Sequence, residues 1–109
     1  MAHYILTGSY TAAAMKGMMA HPTDREAASR AIVEASGGKL KSFLLTTGDS
    51  DFSMIVESDD MNGMLAALIV TGASGAVSHL KTVQAFTSAE FTAAQKHAGK
   101  IAAKYAPPA

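Results

Sequence analysis

Apolar and polar positions along this chain change period several times, and most of the changes fall at a glycine, proline or aspartate. His3 to Ser9 is β-prone and precedes any turn signal, so it predicts a first strand. Thr11 to Ala20 is rich in alanine and methionine and predicts a helix. Pro22 ends it, because an interior proline removes a helix hydrogen bond and clashes with the preceding turn. Thr23 stands three residues before Glu26, the spacing of a capping box, and predicts a second helix with Ala28, Ile32 and Ala35 as its buried stripe. Gly37-Gly38 stops it, since glycine tolerates the left-handed turn that closes helices.

Two β-rich runs follow, Lys39 to Thr47 and Phe52 to Glu57, joined by Gly48-Asp49-Ser50-Asp51. Residues of that kind accept tight-turn angles, so the segment predicts a β-hairpin. Ser58-Asp59-Asp60 supplies a cap and two acids for a first helical turn. Met61, Met64, Leu65, Leu68 and Ile69 continue at helical spacing, and Gly72 and Gly75 close the helix. Ala76 to Phe86 predicts the fourth strand, with Val77, Val83 and Phe86 as its apolar members. Thr87-Ser88-Ala89-Glu90 is a further capping box opening a helix towards Tyr105, which Pro107-Pro108 ends.

Strand, helix, strand, strand, helix, strand and an added helix is the split βαβ, ferredoxin-like order of an α+β sandwich. Residues 1–109 read as one domain, with a core over about 3–91 and a C-terminal helical extension over 88–106. Helices cover one face of the four-stranded antiparallel sheet, yet apolar residues fall on both faces. Ile5 alternates with Tyr4 and Leu6, and Ile55 with Met54 and Val56. The uncovered face therefore needs a partner, and a second copy of the chain, meeting it through Ile5 and Ile55, is the simplest one. A homodimer, or a higher oligomer built from it, is expected.

Composition agrees. Of 109 residues 49% are hydrophobic and only 17% charged, so few charges cover the surface. Net charge is zero, which leaves no field to draw nucleic acid or a membrane. The absence of cysteine excludes disulfides and thiolate chemistry, and suits a reducing compartment. No basic segment followed by a long apolar run opens the chain, and Met64 to Val70 is too short to cross a bilayer, so a cytoplasmic location is expected.

Tyr4 to Leu6, Gly37-Gly38-Lys39-Leu40-Lys41, Gly48-Asp49-Ser50-Asp51-Phe52 and Thr82 to Phe91, with Ala85-Phe86-Thr87 and Glu90-Phe91, together resemble the GYD domain family. The likeness covers about residues 3–91. It implies a stand-alone protein of the dimeric α/β-barrel superfamily, in which two sheets pack face to face. The family motif has a tyrosine where this chain has Ser50, while Gly48 and Asp51 carry over. A role that needs a phenol at that position is therefore not carried over.

Candidate chemistry is sparse. His3, His21, His79 and His97 include no metal-ligand spacing, so no metal is expected. His3 and His79 fall on neighbouring strands and can approach if the register allows. Met15, Met18 and Met19 beside His21 have the composition of a soft-metal site, but core or cavity lining accounts for methionines on one helical face. Asp49 and Asp51 flank Ser50 and read as a turn, because aspartate bonds its own backbone there. Gly72-Ala73-Ser74-Gly75 follows a helix instead of opening one and lacks the Lys-Ser/Thr pair of a phosphate loop. RNA-binding sheets of this order carry aromatics on central strands and a basic surface, and here Ser53 and Ile55 stand in those places. Lys96, Lys100 and Lys104 form a solvated helix face.

Two readings follow. In the first, the protein binds or transforms a small hydrophobic or aromatic molecule without a cofactor, as the oxygenases and isomerases of the resembled superfamily do, with Tyr4, Tyr10, Asp51 and His79 near the pocket. In the second, it is a non-catalytic assembly or regulatory module whose sheet contacts other proteins. A concave apolar pocket with convergent polar groups favours the first.

Overall fold

The computed structural model describes all 109 residues. Four strands form one antiparallel sheet: β1 (Ala2–Tyr10), β2 (Lys39–Leu45), β3 (Phe52–Ser58) and β4 (Val77–Ala85), in the order β2-β3-β1-β4. Helices α1 (Ala12–Ala20) and α2 (Arg25–Ala35) join β1 to β2, α3 (Met61–Ala73) joins β3 to β4, and α4 (Ser88–Ile101) follows. This is the expected ferredoxin-like α+β order. The sheet is open at β2 and β4, so one chain closes no barrel.

Pleating divides the sheet cleanly. Tyr4, Leu6, Phe52, Met54, Val56 and Leu40 are buried on one face and, with Val33 of α2 and Met64 of α3, make up the whole eight-residue core. On the other face the register sets Ile5 opposite both Ile55 and Val83. Ile55 is 37% and Val83 56% exposed, so an apolar row crosses the sheet without any element of this chain over it.

Several helix ends differ from expectation for local reasons. Asp24, not Thr23, caps α2 by accepting from the Ala27 amide, and Val33 is the one buried residue of the helix. Its far end is as expected: Gly37, at φ 89°, donates to Glu34 and Gly38 to Val33, the two bonds of a Schellman close. Asp60 caps α3 through the Gly63 amide, while Ser58 ends β3 and turns its hydroxyl to the Asp60 amide. The two acids thus precede α3 and do not form its first turn. Gly72 lies inside α3. Met15 and Met19 of α1 are exposed and neither is core.

At the C-terminus the capping box forms as expected, with Thr87 and Glu90 each bonding the other's backbone. These bonds hold the Glu90 carboxyl below its usual range, the backbone bond contributing most. No residue of α4 is buried, and Phe91, Ile101 and the following Tyr105 are open to solvent. The molecule measures 60 × 33 × 22 Å. No helix is long and apolar enough to cross a membrane.

Candidate functional site

Between the covered sheet face and the two crossover helices lies a cavity of about 260 Å³. Its floor is Leu6, Phe52, Met54 and Val56, closed towards β4 by Val77 and Leu80. One wall is the α2 face of Arg25, Ser29, Ile32 and Ser36, a spacing that keeps these side chains on one side of the helix. The other wall is Met64, Ala67, Leu68 and Thr71 of α3 at the same period. Small side chains explain the space: Ala28, Ser29 and Ala67 face a gap that larger residues would fill.

The helices are held together at one end. Gly63, in the first turn of α3, lies so close to the end of α2 that a Cβ there would collide with the Ser36 carbonyl oxygen. Strand directions make α2 and α3 antiparallel, so Arg25 and Ser74 belong to the opposite end. There the Tyr10 ring packs against Phe52 with centroids 5.4 Å apart, and Phe52 stacks in turn on Phe43 at 6.2 Å. Burial pushes the Tyr10 phenol above its ordinary range, the neighbouring Arg25 opposes that rise, and the Asp51 charge adds to it. The phenol is therefore a neutral hydrogen-bond donor at physiological pH.

Most other polar groups of the lining are already engaged. The hydroxyls of Ser36, Thr71 and Ser74 donate to carbonyls of their own helices. Tyr10, Arg25 and Ser29 remain as the groups able to meet a ligand. This arrangement can enclose an apolar body and offer it donors at one end.

The residues expected at the pocket divide. Tyr10 lines the cavity. Tyr4 is buried but outside it, donating its hydroxyl to Met61 Sδ at 2.9 Å. Asp51 stands behind the wall, where its carboxylate accepts the Tyr10 backbone N–H at 2.8 Å. It fixes the strand that carries Tyr10, in keeping with a structural turn. His79 is exposed on β4, at φ 53° in a bulge where the pairing with β1 slips by one residue, and it does not line the cavity. His3 pairs with Ala85 in register and meets Glu57 at 3.3 Å, so the two histidines do not approach each other. Met15, Met18 and Met19 take no part in the lining. Ser50 engages the turn through its carbonyl, which accepts from Thr46, and is likewise outside the cavity. Ile5 and Ile55 lie on the opposite face of the sheet.

Arg25 and Ser29 were not expected. Their signal is a polar pair at four-residue spacing, in phase with Ile32 and Val33.

Against known proteins, the GYD domain profile matches residues 4–94. No curated protein matches the chain. Among solved structures, the chain is similar to FFRP-DM1, at 16% identity and a TM-score of 0.45 over 79% of this chain and 100% of that one. It is also similar to the transcriptional regulator NMB0573 of Neisseria meningitidis, solved as an L-Met complex, at 16% identity and a TM-score of 0.50. That likeness covers 80% of this chain and spans about half, 51%, of the regulator. At this identity it establishes the fold.

Proposed function

The chain belongs to the GYD domain family, and from that footing we propose that it binds a small hydrophobic or aromatic molecule in the cavity beneath α2 and α3, working as a cytoplasmic homodimer. The observation that carries this reading is the cavity itself. Fifteen of its 20 lining residues are hydrophobic, and the free polar groups gather around Tyr10 and Arg25. At about 260 Å³ it is larger than the ~150 Å³ apolar cavity that suffices for benzene. A regulator of the same fold carries L-Met, which is in keeping with a small ligand on this scaffold.

Support for the dimer comes from the uncovered apolar row of Ile5, Ile55 and Val83, with His3, Glu57 and Lys41 along one border. Face-to-face packing of two sheets buries such a row, and obligate pairs bury upwards of ~2,000 Å² in total. The same exposed row favours the second reading, a non-catalytic assembly or regulatory module contacting other proteins through its sheet.

A thermal-shift titration with neutral aromatics such as indole and 2-naphthol tests the first reading. A ligand at a hundred times its Kd stabilises by about 2.7 kcal/mol, which is readily measured. Unchanged melting across such a set refutes the cavity as a site for neutral aromatics. Light scattering tests the assembly: a folded species of 11.2 kDa at micromolar concentration refutes the homodimer. Ile55→Asp buries an unpaired charge in that contact, at about 3–5 kcal/mol, and is expected to weaken association more than a hundredfold.

A further inference from the structure

Arg25 is the one charged side chain of the cavity lining, and no carboxylate shares that lining. No carboxylate lies within 4.0 Å of it, since the ion pairs of the chain are His3–Glu57, Lys41–Glu57 and Arg30–Glu26. The acids nearest in sequence or space are committed elsewhere. Asp24 caps the Ala27 amide, Glu26 holds Arg30, and Asp51 takes the Tyr10 amide. One guanidinium nitrogen, Nη1, donates to the Thr23 hydroxyl at 3.2 Å, whereas Nε is buried without any acceptor. Buried donors without partners are rare in folded proteins, and charged ones rarer. Nor does Arg25 serve its helix, because a cation at the first residue of α2 opposes the helix dipole.

We propose that the cavity takes a hydrophobic carboxylate, its apolar body lying between α2, α3 and the sheet and its acid group received by the Arg25 guanidinium beside the Tyr10 hydroxyl. The proposal rests on the cavity being the ligand site and adds the charge class of the ligand. Guanidinium presents parallel donors that match the two oxygens of a carboxylate. Here Nη2, which has no hydrogen-bond partner, and the second Nη1 proton are the donors left to form such a pair, Nε lying too deep to be reached. The neutral Tyr10 phenol, held next to Arg25, supplies one more donor without repelling the anion. Ser29 lies one helical turn from Arg25 along the same wall, so the hydrocarbon begins within a turn of the charge.

Calorimetry at pH 7 with 3-phenylpropanoate and its uncharged isostere 3-phenylpropanamide distinguishes this from the cavity reading. The wild type is expected to bind the carboxylate at least tenfold more tightly than the amide. Arg25→Met keeps the apolar stem, removes the charge and is expected to abolish that preference. Arg25→Lys keeps the charge without the fork, and an intermediate preference is expected. Circular dichroism confirms that both variants are folded. Equal binding of acid and amide by the wild type overturns the anion assignment and leaves the cavity as a site for neutral ligands. A carboxylate preference that survives Arg25→Met overturns it as well. Binding of neither compound overturns this assignment and, with the neutral aromatics also failing, the cavity reading itself.

Discussion

Filling the cavity from within offers the sharpest test of whether it is a real space. Ala67 faces it from the middle of α3, between Met64 and Thr71 on the inward side. Ala67→Leu adds three carbons to a void of about 260 Å³, and at ~0.8 kcal/mol per buried methylene that is worth ~2.4 kcal/mol. Leucine loses ~0.5–1 kcal/mol of rotamer freedom on burial, which leaves a gain of ~1.5–2 kcal/mol. For a domain of this size each kcal/mol moves Tm by ~4 °C or slightly more, so a rise of ~6–8 °C is expected. Thermal unfolding followed by circular dichroism reads the shift, and calorimetry on the same variant reads the loss of aromatic binding. A fall in Tm refutes the reasoning, because it means that the helices close the gap and the added carbons overpack a filled core, at ~1–3 kcal/mol. A rise in Tm with ligand affinity intact refutes the siting of the ligand instead.

Two further outcomes follow from other parts of the same site. Gly63→Ala gains up to ~1 kcal/mol in helix propensity, but its methyl meets the Ser36 backbone carbonyl, which cannot rotate aside as a side chain can; a net loss of ~1–2 kcal/mol in urea unfolding is expected, and a stabilised variant contradicts the close approach of α2 and α3. Burial raises the Tyr10 phenol pKa in the folded state, so the folded chain holds that proton more tightly than the unfolded one. Its contribution to stability is full below pH ~10 and is lost as pH rises through the folded value. Urea midpoints measured from pH 9 to 11.5 should fall more steeply in the wild type than in Tyr10→Phe, and parallel curves remove the buried phenol from the account.

Element order was readable because each break in the sequence is chemically distinct. The Gly-Asp cluster at 48–51, Gly37 and the Thr87/Glu90 pair have few alternative uses, and each does in the fold what its residue type predicts. Helix starts were less legible where two capping residues adjoin. Thr23 and Asp24 can each cap α2, and it is Asp24 that does so. A similar ambiguity at Ser58 and Asp60 was settled by β3 running one residue longer than its apolar pattern. The cavity was invisible for a different reason. Periodicity counts alanine as apolar without weighing its volume, so Ala28 reads as an ordinary inward position although its small size, with that of Ala67, leaves the space open. Asp51 is near Tyr10 in the fold, but only the direction of its side chain separates a lining group from a supporting one, and Tyr4 lies at the far end of β1, against Met61.

Helix α4 has a consequence for how the protein reports on its own assembly. Fourteen residues is about the length at which an isolated helix in water is marginal, and this one has a good cap but no packing partner of its own. In a lone chain its amides should therefore exchange with solvent within the fast regime of fraying segments, while those of β1 and β3 at the sheet centre exchange only on deeper opening. Phe91, Ala94, Ala98 and Ile101 recur at spacings of three and four residues, so a single stripe is available to any surface that covers it. Covering that stripe would slow exchange along the whole helix at once. Deuterium uptake in residues 88–101, followed against protein concentration, is then a label-free meter of association whose signal comes from a helix with no buried residue of its own.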